Sequence, residues 1–452
     1  MTPELIGIFL YLIAQVLIGV WVMRRIRSES DFFLAGRSLG LGLAVFSIFA
    51  TWFGAETCIG TAGAVYSDGL SGSRADPFGY TICLILAGLL LALPLWNRKL
   101  TTMADLFRQR FGAKTELFAS LLMIPTSIIW ASAQIRAFGQ IVAASSPFNL
   151  ELAMTIAAAV IIIYSVLGGL LADVITDFVQ GISLIVGLIV LLVIVVMSLP
   201  EGWSQALSPE RLTFVSPDES LLSHFDSWLI PVLGSLTAQE LISRMLACRT
   251  AEISRKATFI GAGIYFLVGS IPLALGILGP SLIPSLAEPE QLLVTLAHNK
   301  LGLLLGILFS GALVSAIMST VDSALLAAGS IASHNIVPIL RGKALSERGK
   351  VIAARVAVAS AGCVAWILAL GSESIYDQVE FASSFGSSGI VVITLFGLYS
   401  ARGNETTAIF SLFTGVATLV AGNLFEWDGV YVISLCASAL VFLAGSFFVK
   451  RK

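Results

Sequence analysis

The stretch SAIMSTVDSALL, residues 315 to 326, places polar groups inside one of the most apolar parts of the chain. At 3.6 residues per turn, Ala316, Ser319, Thr320 and Ser323 form one helical stripe, with Asp322 beside it. Hydroxyl oxygens, backbone carbonyls and a carboxylate are the ligands that a small hard cation prefers, so the stretch predicts a cation site. The alternative is that the hydroxyls bond to the carbonyl four residues back in their own helix and need no ligand.

The composition places this stretch in an integral membrane protein. Of the 452 residues, 57% are hydrophobic and 12% are charged, whereas soluble domains are about 45–50% apolar and about 25% charged. Apolar segments of about 20 residues recur between short polar loops, which is typical of one helical bundle. We therefore expect a single transmembrane domain over residues 1–452, with the lipid bilayer as a partner and no nucleic acid.

Hydropathy predicts an all-α membrane protein with about 13 transmembrane helices. They lie near residues 3–23, 40–66, 77–97, 115–146, 150–171, 174–199, 226–247, 254–283, 301–335, 350–370, 375–399, 405–424 and 429–449.

The basic residues of the loops predict the orientation, because cytoplasmic loops carry the excess of lysine and arginine. With the N-terminus outside, 22 of the 26 basic residues fall on the cytoplasmic side. Only Arg74, Arg211 and Lys300 fall on the other side, and Arg136 lies within a span. We expect the N-terminus outside and the C-terminus in the cytoplasm.

Two predicted helices carry glycine and polar residues at mid-membrane depth: FATWFGAETCIGTAG, residues 49–63, and PVLGSLTAQELISR, residues 231–244. Interrupted helices in corresponding positions of two halves are the best sequence indication of a transporter binding site. Counted from the second helix, the interruptions fall in helices one and six, as a five-plus-five inverted repeat would produce. The alternative is that the glycines only allow close helix packing.

A charged side chain in the bilayer core costs about 2.5–3.5 kcal/mol on insertion scales, so intramembrane ionisable residues are candidates for function. Five stand out: Glu56, Arg136, Asp177, Asp322 and Glu380. Glu240 and Arg244 lie closer to the cytoplasmic end of their helix, where we predict that they snorkel to the surface.

Several segments together resemble one family. SAIMSTVDSALLAAGS resembles the eighth core helix of the sodium:solute symporter family, and YSVLGGLLADVITDFVQG, residues 164–181, resembles its entry into helix five. ATWFGAETCIGTAGAVY, residues 50–66, resembles its broken first helix, and DFFLAGRSLG the loop before it. The resemblance implies a LeuT-like fold, with a peripheral helix and loop in 1–38, repeats in 39–200 and 226–400, and two peripheral helices in 401–452.

The resemblance also implies a sodium site. Its ligands on this chain would be the carbonyls of Ala50, Phe53 and Ala316 and the hydroxyls of Ser319 and Thr320. Some members of the family have a second sodium site, whose matching positions here are Asp177, Ser319, Asp322 and Ser323. The two-sodium members carry serine where this chain has Asp322, which would either strengthen that site or replace sodium with a proton.

The substrate is expected between the two interruptions. Trp52 and Trp130 match positions where the choline-transporter branch holds a quaternary ammonium by cation-π contacts, but a third tryptophan of that site falls on Ala238. Mid-helix tryptophans are otherwise packing residues.

Glu56 and Arg136 suggest a zwitterion, with one side chain on an ammonium and the other on a carboxylate; alternatively they pair with each other. Thr57 and Gln239, at the two interruptions, complete the predicted substrate residues.

The resemblance implies a sodium-coupled secondary active symporter that imports a small organic solute by alternating access, with Na+ as the coupling ion. We predict a zwitterion or amine, such as an amino acid, a betaine or a choline-like solute. A sugar or an organic carboxylate is the alternative, as is a passive facilitator or channel. An enzyme is disfavoured because no group of nucleophile, base and orienting residue is evident. We expect the bacterial inner (plasma) membrane.

Overall fold

The computed structural model describes residues 3–144, 146–201, 203–216, 219–342, 345–371 and 375–448. Within these ranges the chain is helical and has no strand, apart from one isolated bridge between Leu39 and Cys248. The predicted loop residues Lys343, Lys450, Arg451 and Lys452 lie outside the described ranges.

Helices occur at each predicted position. We label them α1 (Pro3–Met23), α2a (Leu41–Trp52), α2b (Thr61–Asp68), α3 (residues 80–97), α4 (Ala113–Ala144), α5 (residues 150–168), α6 (residues 170–197), α7a (Leu221–Leu229), α7b (Gln239–Ala247), α8 (Ala251–Leu282), α9 (Leu303–Ile331), α10 (Glu347–Leu370), α11a (Ile375–Ser384), α11b (Ser387–Tyr399), α12 (Glu405–Leu424) and α13 (Val430–Phe448). Shorter helices include Glu29–Leu34, Ala104–Arg110 and Leu292–Lys300.

Eight helices in the described ranges are long and apolar enough to cross a membrane, or nine if the bent pair around residue 385 counts as one span. Leu150–Met197 counts as one of them, although 48 residues would extend about 72 Å if straight. The chain is a membrane protein with several apolar helices, and the number of thirteen crossings stays a prediction.

Gly169 divides α5 from α6. Its φ of 55° lies in the left-handed region, and a Cβ there would meet the carbonyl oxygen of Phe32 at 2.7 Å. Glycine alone fits both demands without strain. The division falls two residues before the predicted end of helix 150–171, which the predicted helix 174–199 follows.

Polar residues cap the helices where loops enter the bundle. Asn149, Thr250, Ser346 and Asn404 each accept a hydrogen bond from the backbone N–H three residues later. Such caps satisfy donors that have no partner within the helix. They fix where α5, α8, α10 and α12 begin.

Helix α9 lies at the centre of the bundle. Every residue from Ala312 to Ile331 is buried, and the helix packs against α2a, α4, α5, α6 and α7b. Because every residue of this stretch is buried, the stretch contacts protein on all its sides. The polar stripe of residues 316–323 therefore faces other helices and no lipid.

A buried ion pair connects three of these helices. Arg244 of α7b is fully buried, donates to the carboxylate of Asp173 on α6, and donates to the hydroxyl of Ser323 on α9. Glu240 is also buried. The prediction that Glu240 and Arg244 snorkel to the cytoplasmic surface is wrong, because α7b starts after a break and lies inside the bundle.

We predict that Arg244→Leu lowers the stability of the folded protein by about 3–5 kcal/mol, because the carboxylate of Asp173 remains buried without its partner. Thermal unfolding in detergent, followed by size-exclusion chromatography, measures the effect. Arg341→Leu, at an exposed position, is the control. The double variant Asp173→Asn, Arg244→Gln should recover part of the loss. Equal unfolding temperatures for Arg244→Leu and the wild type would refute the role of the pair.

Candidate functional site

The first predicted interruption is confirmed. Helix α2a ends at Trp52, and Phe53 has non-helical backbone angles of φ −91° and ψ 71°. A wide turn over Glu56–Gly60 then leads into α2b. The break is buried, and the end of a helix leaves its last carbonyl groups without amide partners four residues later.

The second interruption is confirmed as well. Helix α7a continues through a wide turn, Ile230–Gly234, and the chain leaves helical geometry before Ala238, which precedes α7b with φ −61° and ψ 129°. A Cβ on Gly234 would meet the carbonyl oxygen of Ser383 at 2.4 Å. Glycine therefore allows the second break to approach α11a closely.

Thr320 of α9 reaches across to the end of α2a. Its hydroxyl oxygen lies 3.5 Å from the carbonyl oxygen of Ala50, 3.2 Å from that of Thr51 and 3.3 Å from that of Ala316. Neighbouring ligands of a hard cation held at about 2.4 Å are about 3.4 Å apart, so this oxygen cluster fits a small cation. Phe53, whose carbonyl was predicted as a ligand, is buried at the same break.

The carbonyl of Thr51 was not predicted as a ligand. Any carbonyl in the last turn of a broken helix loses its amide partner, and that rule could have found it.

Gly54 lies between this cluster and two polar side chains. A Cβ at Gly54 would be 2.8 Å from the hydroxyl oxygen of Thr320, 2.6 Å from Oε2 of Glu56 and 3.0 Å from Oε1 of Gln134. The side-chain amide of Gln134 donates to Oε2 of Glu56 at 2.6 Å and accepts from the backbone N–H of Ala55 at 2.9 Å. Gln134 was not predicted, because its side chain is not ionisable.

A second cluster forms around Asp177 of α6. Its carboxylate accepts hydrogen bonds from Ser47 at 2.6 Å and from Ser319 at 2.5 Å. The hydroxyl of Ser319 thus faces Asp177 and not the oxygens around Thr320, so its place in the first sodium site stays a prediction. Ser47 was not predicted, although it lies three residues before Ala50 on the same helical face.

The structure does not bring the other two residues of the predicted second site into this cluster. Asp322 accepts a hydrogen bond from Ser165 of α5 at 2.5 Å. The hydroxyl of Ser323 donates to the carbonyl of its own helix at Ser319, at 2.6 Å, and accepts from Arg244. Bonding to the carbonyl four residues back, the alternative predicted from the sequence, therefore applies to Ser323 and also to Thr320, which bonds to Ala316 at 3.3 Å.

Trp52, Trp130 and Tyr80 form an aromatic cluster next to the first break. The ring centroids of Trp52 and Trp130 are 6.1 Å apart, and those of Tyr80 and Trp130 are 6.3 Å apart. A cavity of about 10 Å³ is lined by both tryptophans together with Thr320 and Ala238. The two predicted tryptophans thus lie side by side at the oxygen cluster, and Ala238 occupies the place beside them.

The remaining predicted substrate residues lie in different places. Gln239 accepts a hydrogen bond from the backbone N–H of Met103 at 2.7 Å and donates to Ser243 at 2.9 Å, while it also lines a cavity of about 20 Å³ next to Trp130. Arg136 is half-buried on α4 and is not among the residues that line these cavities. Glu56 accepts a hydrogen bond from Gln134, and its predicted pairing with Arg136 stays a prediction.

A third cavity, which we call the acidic cavity, is lined by Glu56, Asp76 and Glu380 together with Tyr80 and Ser227. Oδ1 of Asp76 accepts hydrogen bonds from Thr57, at 3.0 Å, and from Tyr265. The predicted substrate residue Thr57 therefore holds Asp76 in place. Asp76 itself was missed, because the third predicted helix began one residue after it.

An ion pair lies next to the acidic cavity, beside the loop between α6 and α7a. Arg74 donates to Glu219 and, at 2.8 Å, to the hydroxyl of Ser227, which lines the cavity. His224 lies 3.2 Å from Glu219. Burial alone would raise the pKa of Glu219, but hydrogen bonds from Arg74 and His224 outweigh it and lower the pKa. Glu219 therefore stays ionised and keeps its ion pair with Arg74.

The sequence matches a known family over most of its length. The sequence model of the sodium:solute symporter family matches residues 32–415. High-affinity choline transporter 1 of Drosophila melanogaster is 28% identical over 403 residues, which cover 84% of this chain and 64% of that protein. The sodium/proline symporter of Escherichia coli is 26% identical over 454 residues, which cover 96% of this chain and 90% of that protein. The chain thus spans about two thirds of the length of the choline transporter and nearly all of the proline symporter.

A solved structure has the same fold. The substrate-bound outward-open state of a Na+-coupled sialic acid symporter matches with a TM-score of 0.84 over 100% of this chain and 99% of that one, at 18% identity. The predicted LeuT-like all-α fold is therefore confirmed. The family match likewise confirms the resemblance that the motifs indicated. This chain belongs to the sodium:solute symporter family.

Proposed function

We propose that this protein is a sodium-coupled symporter that imports a small organic solute by alternating access. The main observation behind this proposal is that the hydroxyl of Thr320 lies close to the carbonyl oxygens of Ala50, Thr51 and Ala316. These oxygens come from the two sides of the contact between α2a and α9. The names of the choline, proline and sialic acid transporters that the chain resembles support the same function.

Coupling follows from where the ion would bind. A sodium ion held by both Thr320 and the end of α2a stabilises the arrangement in which these two helices are adjacent. A ligand shifts a conformational equilibrium only by its difference in affinity for the two states. Sodium entering from outside would therefore favour the outward-facing state, and solute binding beside it would permit the change to the inward-facing state.

We propose a second sodium site at Asp177, with the hydroxyls of Ser47 and Ser319. These groups come from α6, α2a and α9, and they supply one carboxylate and two hydroxyl oxygens. Such oxygens suit a hard cation. Asp322 is bonded to Ser165 and lies outside this set.

The proposed solute is a zwitterion or an amine, bound between the two breaks. Its support is the aromatic cluster of Trp52, Trp130 and Tyr80, which offers ring faces to a cation, with the acidic cavity adjoining it. Relatives named for choline and for proline carry solutes of these kinds.

We propose that the protein resides in the bacterial inner membrane with its N-terminus outside, on the support of the loop charges and of its bacterial relatives. The two inverted repeats are proposed to span residues 39–200 and 226–400.

We predict that uptake of the transported solute into proteoliposomes ends when external sodium is replaced by potassium at constant pH. Thr320→Val and Ser319→Ala should each raise the sodium concentration for half-maximal uptake about 10- to 100-fold, since each removes one oxygen ligand. Thr258→Val is the matched control, because Thr258 is buried and its hydroxyl donates to the carbonyl of Ser254 in its own helix. Equal uptake in potassium would indicate a passive facilitator. Unchanged sodium dependence in Thr320→Val would reject the first proposed site, and unchanged dependence in Ser319→Ala would reject the second.

Gly54→Ala tests the packing of the first break. We predict that it abolishes sodium-dependent uptake, because the new methyl group would displace the oxygens of Thr320 and Glu56, which it would meet at 2.8 and 2.6 Å. Gly263→Ala, on α8, has no neighbouring atom within 4 Å and should transport normally. Normal sodium affinity in Gly54→Ala, measured by the same uptake assay, would show that these oxygens do not need their present spacing.

Asp177→Asn tests the second ion. We predict one sodium ion fewer per solute, measured from the membrane potential at which net flux is zero, because the carboxylate is the charged ligand of that site. Asp322→Asn should leave the ratio unchanged and serves as the matched buried acid. A ratio that changes with Asp322→Asn and not with Asp177→Asn would assign the second ion to Asp322.

A further inference from the structure

The acidic cavity buries two carboxyl groups that no basic side chain of its lining pairs with. Glu56 and Asp76 are each 1% exposed. Among the described residues that line the cavity there is no lysine, arginine or histidine. Arg74, two residues before Asp76, directs its guanidinium to Glu219, His224 and Ser227. A cation from outside the chain would balance these carboxylates.

Each carboxylate is held by one oxygen and leaves the other unpaired. Oε2 of Glu56 accepts from Gln134, and Oδ1 of Asp76 accepts from Thr57 and Tyr265. Oε1 of Glu56 and Oδ2 of Asp76 are buried and have no hydrogen-bond partner within the described ranges. A buried acceptor without a donor is costly, and such groups in native structures call for a ligand or water. Since both side chains line the acidic cavity, the unpaired oxygens mark acceptor positions for a donor that enters it.

The cavity adjoins the proposed substrate site. Tyr80 lines the acidic cavity and also packs against Trp130, whose ring neighbours Trp52. A solute that places a cationic group between the carboxylates would therefore rest its remaining atoms against the aromatic cluster.

We propose that Glu56 and Asp76 accept hydrogen bonds from the N–H groups of a substrate ammonium, so that this transporter selects protonated primary, secondary and tertiary amines over quaternary ammonium compounds. The inference rests on the proposed function, and it narrows the substrate class. A quaternary ammonium has charge but no N–H, so it would leave both acceptors unpaired. Sites built to hydrogen-bond a substrate group reject analogues that lack the group by factors of about 10⁴.

The test is a series of ligands that differ only in N-methylation: glycine, sarcosine, N,N-dimethylglycine and glycine betaine, with matched series from ethanolamine to choline and from proline to N,N-dimethylproline. Each compound is added to the purified protein in sodium and in potassium, and its dissociation constant is obtained from thermal stabilisation. In at least one series we expect sodium-dependent binding that weakens at least 100-fold at the step that removes the last N–H. Equal or tighter binding of the quaternary compounds, or binding by no member of the three series, would overturn the inference.

Substitutions of the two carboxylates test whether they cause the preference for ligands with N–H groups. Glu56→Gln and Asp76→Asn should reduce the preference for N–H-bearing ligands at least tenfold and leave the affinity for the quaternary member unchanged. Glu116→Gln is the matched control, because Glu116 is equally buried but is held by Asn335 and Arg108. Loss of affinity for all members alike would indicate a structural role and contradict the proposal. If a variant does not fold, the wild-type series still decides the question.

The two proposals fail in different ways. Sodium-dependent stabilisation by a sugar or a dicarboxylate, with none by an amine, would overturn this inference and leave sodium-coupled symport supported. Amine binding that shows the N–H preference but is the same in sodium and in potassium would support the acidic cavity and contradict sodium coupling.

Discussion

Carboxylates inside the bundle set the main constraint on this protein. Asp173 is paired with Arg244, whereas Glu56, Asp76 and Asp177 are held by hydroxyl and amide groups. Hydroxyls and amides orient a carboxylate but do not cancel its charge, and an uncompensated charge in the bilayer core is costly. Mobile cations can supply the compensation. We propose that sodium compensates Asp177 and that a substrate ammonium compensates the carboxylates of the acidic cavity. The free-energy cost of burying these carboxylates would then favour ligand binding.

The break after α2a places the proposed cation-binding groups next to a helix whose position can change during transport. It exposes carbonyl oxygens at the depth where Thr320 of α9 can reach them, and Gly54 keeps Thr320, Gln134 and Glu56 close together. The proposed ion site and the proposed substrate site thus share one short stretch of chain. A cation at Thr320 and a solute at Glu56 would both depend on the same position of α2a, which gives a physical route for coupling one to the other.

Part of this arrangement could be read from the sequence. The two breaks followed from glycine and polar residues at mid-membrane depth, and Thr320 from a hydroxyl stripe on an apolar helix. Arg244 was misread, because distance along the chain to the helix end does not reveal that a broken helix lies inside the bundle. Asp76 and Ser47 were missed because their roles come from contacts with distant helices, which no local pattern encodes. The separation of Ser319 from Thr320 likewise depends on which helix faces each side of α9.

The central claim is that the contact between α2a and α9 binds sodium without help from the solute. Equilibrium binding of radioactive sodium to the purified protein, with no organic solute present, tests it most directly. We predict saturable sodium binding that is displaced by excess unlabelled sodium but not by potassium. Thr320→Val should weaken this binding at least tenfold. Absence of saturable binding, or full competition by potassium, would contradict the account.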